Sequence, residues 1–241
     1  MQFVRSQDLK PGMRLAKPIY NKMGVLLYER NTKLTLQSIN SIDNFGLIGI
    51  FILEPAEPVP PLSKEDLEFE QFQTIYMFKL KDCMDKLLAQ KNIPAITELV
   101  QNIDTHYGAL DHKLNFTQNL RSSADFVYKH SISVAILSAT TANEMHIEPE
   151  DSQSLIAASL LYDFGYLSVP KSILDKNEDL SASDRDLIQL KSEHGYEIIR
   201  PHFAELGLND TSLEIIQNII FEDHATISPR LPKPPVQLLI D

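Results

Sequence analysis

The chain has 241 residues, with 22 Lys and Arg against 33 Asp and Glu, and therefore a formal charge of -11. Hydrophobic residues make up 43% and charged residues 23%, a globular composition that excludes disorder throughout. The acidic balance argues against a nucleic-acid polymer as partner, because binding phosphates needs clustered Lys and Arg. No stretch approaches the roughly 20 apolar residues of a membrane span. Cys83, alone of its kind, leaves no internal disulfide and no cysteine-based zinc cluster. Charge from Arg5 onward and the lack of an apolar run at the start do not fit a signal peptide, and these features together predict a cytoplasmic protein.

Residues 1–54 read as a small α+β or β-rich domain. Lys10-Pro11-Gly12-Met13 is a turn signal, residues 14–20 a strand, Asn21-Lys22-Met23-Gly24 a hairpin turn and residues 25–28 a second strand. Thr35 is placed to cap a helix carrying Leu36, Ile39 and Ile42, and residues 47–53 form an apolar strand. Pro55, Pro58, Pro60 and Pro61 make residues 55–62 an extended spacer, which sets the domain boundary there.

Ser63 then fits an N-cap with Asp66 following, and a long helix is expected over residues 63–91. Its apolar positions, among them Phe72, Ile75, Phe78, Met84 and Leu87, offer a face for the next domain or for a second copy in a homodimer. From Pro94 to about residue 224 the pattern is helical, over 94–104, 108–120, 123–145, 150–163, 183–200 and 209–224. The fold class is therefore mainly α: a helical bundle over residues 63–241, preceded by the small domain.

Four clusters carry ligand-type residues. His130 lies in an apolar helix beside Val127, Val134 and Leu137; a lone histidine there is ordinarily a hydrogen-bonded core residue. Asp163 ends an apolar helix, with Gly165 read as the stop, and an acid in that position is costly unless paired, hydrogen-bonded or coordinating. Residues 190–199 hold Lys191, Glu193 and His194, and residues 219–224 hold Glu222, Asp223 and His224, each beside a helical apolar face.

In order and spacing these clusters resemble the HD-GYP family of the HD superfamily of phosphohydrolases, over roughly residues 123–241. Residues 160–174, LLYDFGYLSVPKSIL, look like the family's LLHDIGKIGIPDSIL run, and residues 195–199, GYEII, resemble its GYEIL. The N-terminal unit, with LKPGM at 9–13 and GVLL at 24–27, is similar to a small domain that often precedes HD-GYP domains. The resemblance implies an all-helical domain that, in active members, binds two or three iron- or manganese-type ions and hydrolyses cyclic di-GMP.

Carried over residue by residue, the resemblance keeps His130 as the first histidine ligand and Asp163 as the acid of the His-Asp pair. The paired histidine is Tyr162, the lysine three residues after the acid is Tyr166, and the next metal histidine is Lys191, with His194 three positions late. The HHE triplet reads Glu222-Asp223-His224, no DGxGYP loop follows, and Asp241 matches the last metal acid, where the sequence stops. An ammonium has no lone pair to offer a cation and a phenol ligates poorly at neutral pH. The expectation is thus a vestigial site made of His130, Asp163, Lys191, Glu222, Asp223 and Asp241. In it Lys191 forms a salt bridge with Asp163 or with Glu222 and Asp223, no cofactor is bound, and the protein serves as a binding module in cyclic-dinucleotide signalling. Its partners would be a signalling protein, cyclic di-GMP held by Lys129, Lys191, Arg200 and Arg230, or both. The alternative is an active phosphodiesterase with an altered Fe or Mn ligand set of His130, Asp163, Glu222 or Asp223, and Asp241.

Overall fold

The computed structural model describes residues 1–226 apart from 56, 60, 62, 112, 117–124, 175, 177 and 178, and the side chains of 171, 189, 192 and 221–226 are not described. Packing divides the chain into two units, one made of Met1–Phe78 and Lys113–Phe126, the other of Lys79–His112 and the chain from Val127 onward.

In the first unit, β1 (Gln2–Arg5), β2 (Arg14–Leu15) and β5 (Gly49–Leu53) form an antiparallel sheet in the order β1-β5-β2. Phe3 pairs with Phe51 and Leu15 with Ile52. The strand expected over residues 14–20 is two strands, β2 and then β3 (Ile19–Tyr20), which pairs with β4 (Leu26–Tyr28) as a separate hairpin. Pro18 has no amide hydrogen to donate to a ladder, so the chain leaves one sheet and enters the other there. The Asn21 side chain closes the hairpin by accepting from the amides of Met23 at 2.8 Å and Val25 at 3.0 Å. Gly24 supplies the φ of +75° that the turn requires. β1 was not legible as a strand: it is four residues long, with no turn signal before it.

Helix α1 (Leu36–Asn44) starts as expected at Thr35, whose hydroxyl accepts from the Ser38 amide while Ser38 returns a bond to the Thr35 amide. Its inner face joins Leu9, Leu15, Ile19, Leu34, Leu47, Ile50 and Ile52 in one core through Ile42. Helix α2 (Lys64–Leu88) begins at a Ser63–Asp66 capping box. The division between the two units falls within α2, after Phe78, whereas proline content points to residues 55–62. Phe69, Met77, Leu80, Met84 and Leu87 are all buried, so much of its apolar stripe is already covered within the chain.

The second unit is helical: α3 (Thr97–Tyr107), α4 (Asp125–Glu144) from Val127 onward, α5 (Pro149–Leu161), α6 (Lys171–Leu174), α7 (Ala182–Ile199), α8 (Phe203–Leu206) and α9 (Asp210–Thr226). The helix expected over 108–120 is absent from the described part of that segment; Gly108 caps α3 and residues 109–111 and 113–116 are irregular. Helix α5 lies against α3 and α9, and its residues from Ile156 to Leu161 are buried in succession, the pattern of a helix enclosed on all sides. The expectation that Asp163 ends this helix with Gly165 as its stop is corrected. The α-helix ends at Leu161, and Phe164–Ser168 continue as a 3-10 helix in which Gly165 has no left-handed backbone. Among the described residues no helix is long and apolar enough to cross a membrane.

Helix α7 is fixed at its start by Ser181, whose hydroxyl receives the Asp184 amide while Asp184 accepts from the Ser181 amide at 2.9 Å. Lys176 reaches the same carboxylate at 2.6 Å. That ammonium, with the Ser181 donors, holds the Asp184 carboxyl down from 3.8 to about 2. A depressed carboxyl contributes stability above its unfolded pKa and loses it as pH falls toward the folded one. We expect the thermal midpoint of the wild-type chain to fall more steeply than that of Asp184→Asn as pH drops from about 4 to about 2; parallel curves in a pH series would show that the pair adds nothing.

Candidate functional site

His130 projects from α4, and Tyr162 and Asp163 follow directly on the last residue of α5. The enclosed helix α5 delivers both residues to the imidazole. His130 Nε2 lies 2.8 Å from the Tyr162 hydroxyl and 3.4 Å from Asp163 Oδ2. The His130 side chain is 36% exposed and that of Asp163 17%, so the group sits at the edge of the core rather than inside it. Burial lowers the His130 pKa below its usual 6.5, which keeps the ring neutral at pH 7. The contact with Asp163 is then a polar contact to a neutral imidazole and not an ion pair. A neutral ring nitrogen either donates or accepts. In one tautomer Nε2 accepts from the phenol, and in the other it donates toward Tyr162 or Asp163. In both, a neighbouring protein group engages the nitrogen.

Helix α7 packs on the turn Phe164–Ser168. The approach is close because two glycines meet: a Cβ on Gly195 would lie 2.7 Å from both the Cα and the N of Gly165. Phe164, fully buried, anchors the same turn. This contact gives both glycines a packing reason and fixes the chain just beyond Asp163. We expect Gly195→Ala to destabilise the fold by about 1–3 kcal/mol, since backbone must move to admit the methyl group. Urea denaturation checks this; an unchanged midpoint would mean that the helix shifts freely.

The residues singled out from the sequence divide into three groups. His130 and Asp163 come together. Lys191 lies on α7, half-buried, and among the described residues it forms no ion pair, with Asp163 or otherwise. The expected Lys191–Asp163 salt bridge is therefore corrected: the nearby ring nitrogen of His130 faces that carboxylate, and an ammonium still open to solvent escapes the desolvation that pairing in the core would cost. His194 is exposed and does not turn into the site. Arg200 is exposed and pairs with Glu197 at 3.0 Å. Glu222 and Asp223 lie in α9 with side chains outside the described residues, and Arg230 and Asp241 lie outside them altogether.

Sequence reasoning saw Tyr162 only as a lost histidine. Its role as the hydrogen-bond partner of His130 was missed, although a largely enclosed phenol ordinarily finds such a partner. Iron or manganese needs several imidazole and carboxylate donors. Among the described residues no three His, Cys, Asp or Glu side chains form a group that could hold a metal. His130 and Asp163 supply two of the donors such a centre would need, and the remaining candidates Glu222, Asp223 and Asp241 have side chains outside the described residues.

Residues 115–225 match the family model described as the HD domain, which supports membership of the HD superfamily for this segment. No curated protein and no solved structure matches the chain.

Proposed function

We propose that this chain, with an HD domain at residues 115–225, is a catalytically degenerate HD-GYP-like signalling protein of the cytoplasm. It acts as a binding or interaction module in cyclic-dinucleotide signalling. The observation that carries this reading is the 2.8 Å contact between the Tyr162 hydroxyl and His130 Nε2. In the family that the sequence resembles, a histidine stands at position 162 and the nitrogen at 130 binds metal. Here a phenol at that position engages the nitrogen through a hydrogen bond. A metal-dependent phosphohydrolase needs a cation to lower the pKa of a bound water and to stabilise phosphoryl charge. Without it the fold keeps surfaces for a signalling partner, for cyclic di-GMP itself, or for a second copy through the helix at 63–91.

The proximity of His130 and Asp163, 3.4 Å apart, favours a second reading. Joined by Glu222 or Asp223 and by Asp241, they would make an altered Fe or Mn site in an active cyclic di-GMP phosphodiesterase. The two readings separate in a hydrolysis assay on cyclic di-GMP and pGpG with added Mn or Fe. The degenerate reading expects no turnover above the protein-free control. Metal-dependent turnover that Asp163→Ala abolishes would overturn it in favour of the enzyme.

A further inference from the structure

The sheet β1-β5-β2 of the first unit has one closed edge and one open edge. Along β2 the far side is covered. Arg14 bridges Lys33, the Leu15 amide donates to the Thr32 carbonyl at 3.0 Å, and the Leu34 amide donates to the Met13 carbonyl at 2.7 Å. At the β1 edge the ladder fixes which backbone groups point outward. The Ser6 amide donates to the Ile48 carbonyl at 2.9 Å, and hydrogen-bonded pairs alternate with non-bonded ones along an antiparallel ladder. Gln2 and Val4 therefore turn their backbone groups toward β5, whereas Phe3 and Arg5 turn theirs away. The opposite side of β5 agrees: the Phe51 carbonyl accepts from the Ala16 amide at 2.9 Å, so Phe51 faces Phe3 without bonding it.

Among the described residues nothing pairs with the outward amides and carbonyls of Phe3 and Arg5. Backbone groups left so are satisfied by water, which makes this edge a solvated one. Strand β1 also carries no proline and no bulge, the devices that ordinarily blunt an open edge.

We propose that β1 is a docking edge for a second copy of this chain, which adds its own β1 antiparallel about a two-fold axis through Val4. In that pairing Phe3 stands opposite the partner's Arg5, and Arg5 opposite the partner's Phe3. Each outward amide then meets an outward carbonyl. Side chains directly opposite one another share a face of the sheet, so each guanidinium comes beside a Phe3 ring, a cation–π arrangement. The Phe3 ring is already fixed on that face by its edge contact with Phe51, centroids 5.4 Å apart. The Arg5–Asp8 ion pair, at 2.9 Å, is exposed on both sides and competes little. On the other face Val4, which packs against the core of this unit, meets the partner's Val4. Arg5 is the one charged residue of β1, and the two-fold axis keeps it from facing its own copy. Any extended strand would satisfy the backbone groups, but the reciprocal match of Phe3 with Arg5 singles out a second copy. So short an edge makes a weak, concentration-dependent dimer.

Arg5 has a φ of -64°, the value proline imposes, so Arg5→Pro removes an outward amide and the guanidinium while sparing the bonds between β1 and β5. In sedimentation equilibrium of the full chain up to about 1 mM, the wild type should form dimers and Arg5→Pro should associate at least about tenfold more weakly. The thermal midpoint of the dilute variant should stay at the wild-type value. In the wild type, the Phe3 and Arg5 amides should exchange hydrogen more slowly as concentration rises, an effect that a dimer formed through another surface does not produce. This second readout stands even where the proline variant does not fold. A wild type that stays monomeric throughout, as it would if the edge served another protein's strand, overturns the proposal. So does a dimer that Arg5→Pro leaves equally tight, or exchange at Phe3 and Arg5 that is indifferent to concentration.

Discussion

Helix α5 has no solvated face over its last turns, and this enclosure constrains everything around the site. Its residues from Ile156 to Leu161 are buried in succession, so the chain emerges from the core at one place and in one direction. Tyr162 and Asp163 are the first two residues after that exit, and they meet His130 on α4. Beyond them the chain is held again, where Gly165 lies against Gly195 of α7 with no space for a methyl group between. A buried helix on one side and a close backbone contact on the other leave the two side chains little freedom.

Within such a frame, the side chain at position 162 sets which group meets the His130 ring nitrogen. A histidine at position 162 would bring a second nitrogen donor beside His130 and Asp163, suited to a transition-metal ion. A tyrosine brings a hydroxyl that hydrogen-bonds the imidazole and keeps it satisfied as a neutral group.

Much of the fold was legible because its signals are local. The Thr35 cap, the Asn21–Gly24 turn, the Ser63 cap and the helical stretches around α4, α5, α7 and α9 follow from residue type and spacing. What escaped was decided by partners distant in sequence. Strand β1 exists because β5 accepts it, and β2 separates from β3 because Pro18 interrupts the ladder. Gly165 looked like a helix stop but serves a close approach thirty residues away, at Gly195. At the site, His130 and Asp163 were found by motif, whereas Lys191 was expected to replace the cation by its charge. Lys191 does not pair with Asp163, whereas its other expected partners, Glu222 and Asp223, have side chains outside the described residues; the imidazole of His130 shares a hydrogen bond with the Tyr162 hydroxyl.

On the proposed reading, the ring nitrogen of His130 is held by Tyr162 and not by a metal. A long-range 1H–15N spectrum of the histidine rings during titration with Mn2+ tests it most directly, because a paramagnetic ion broadens any nitrogen it binds. The His130 resonances are expected to keep their positions and widths past one equivalent of Mn2+. Loss of those resonances at stoichiometric metal, with the exposed His194 unaffected, would contradict it.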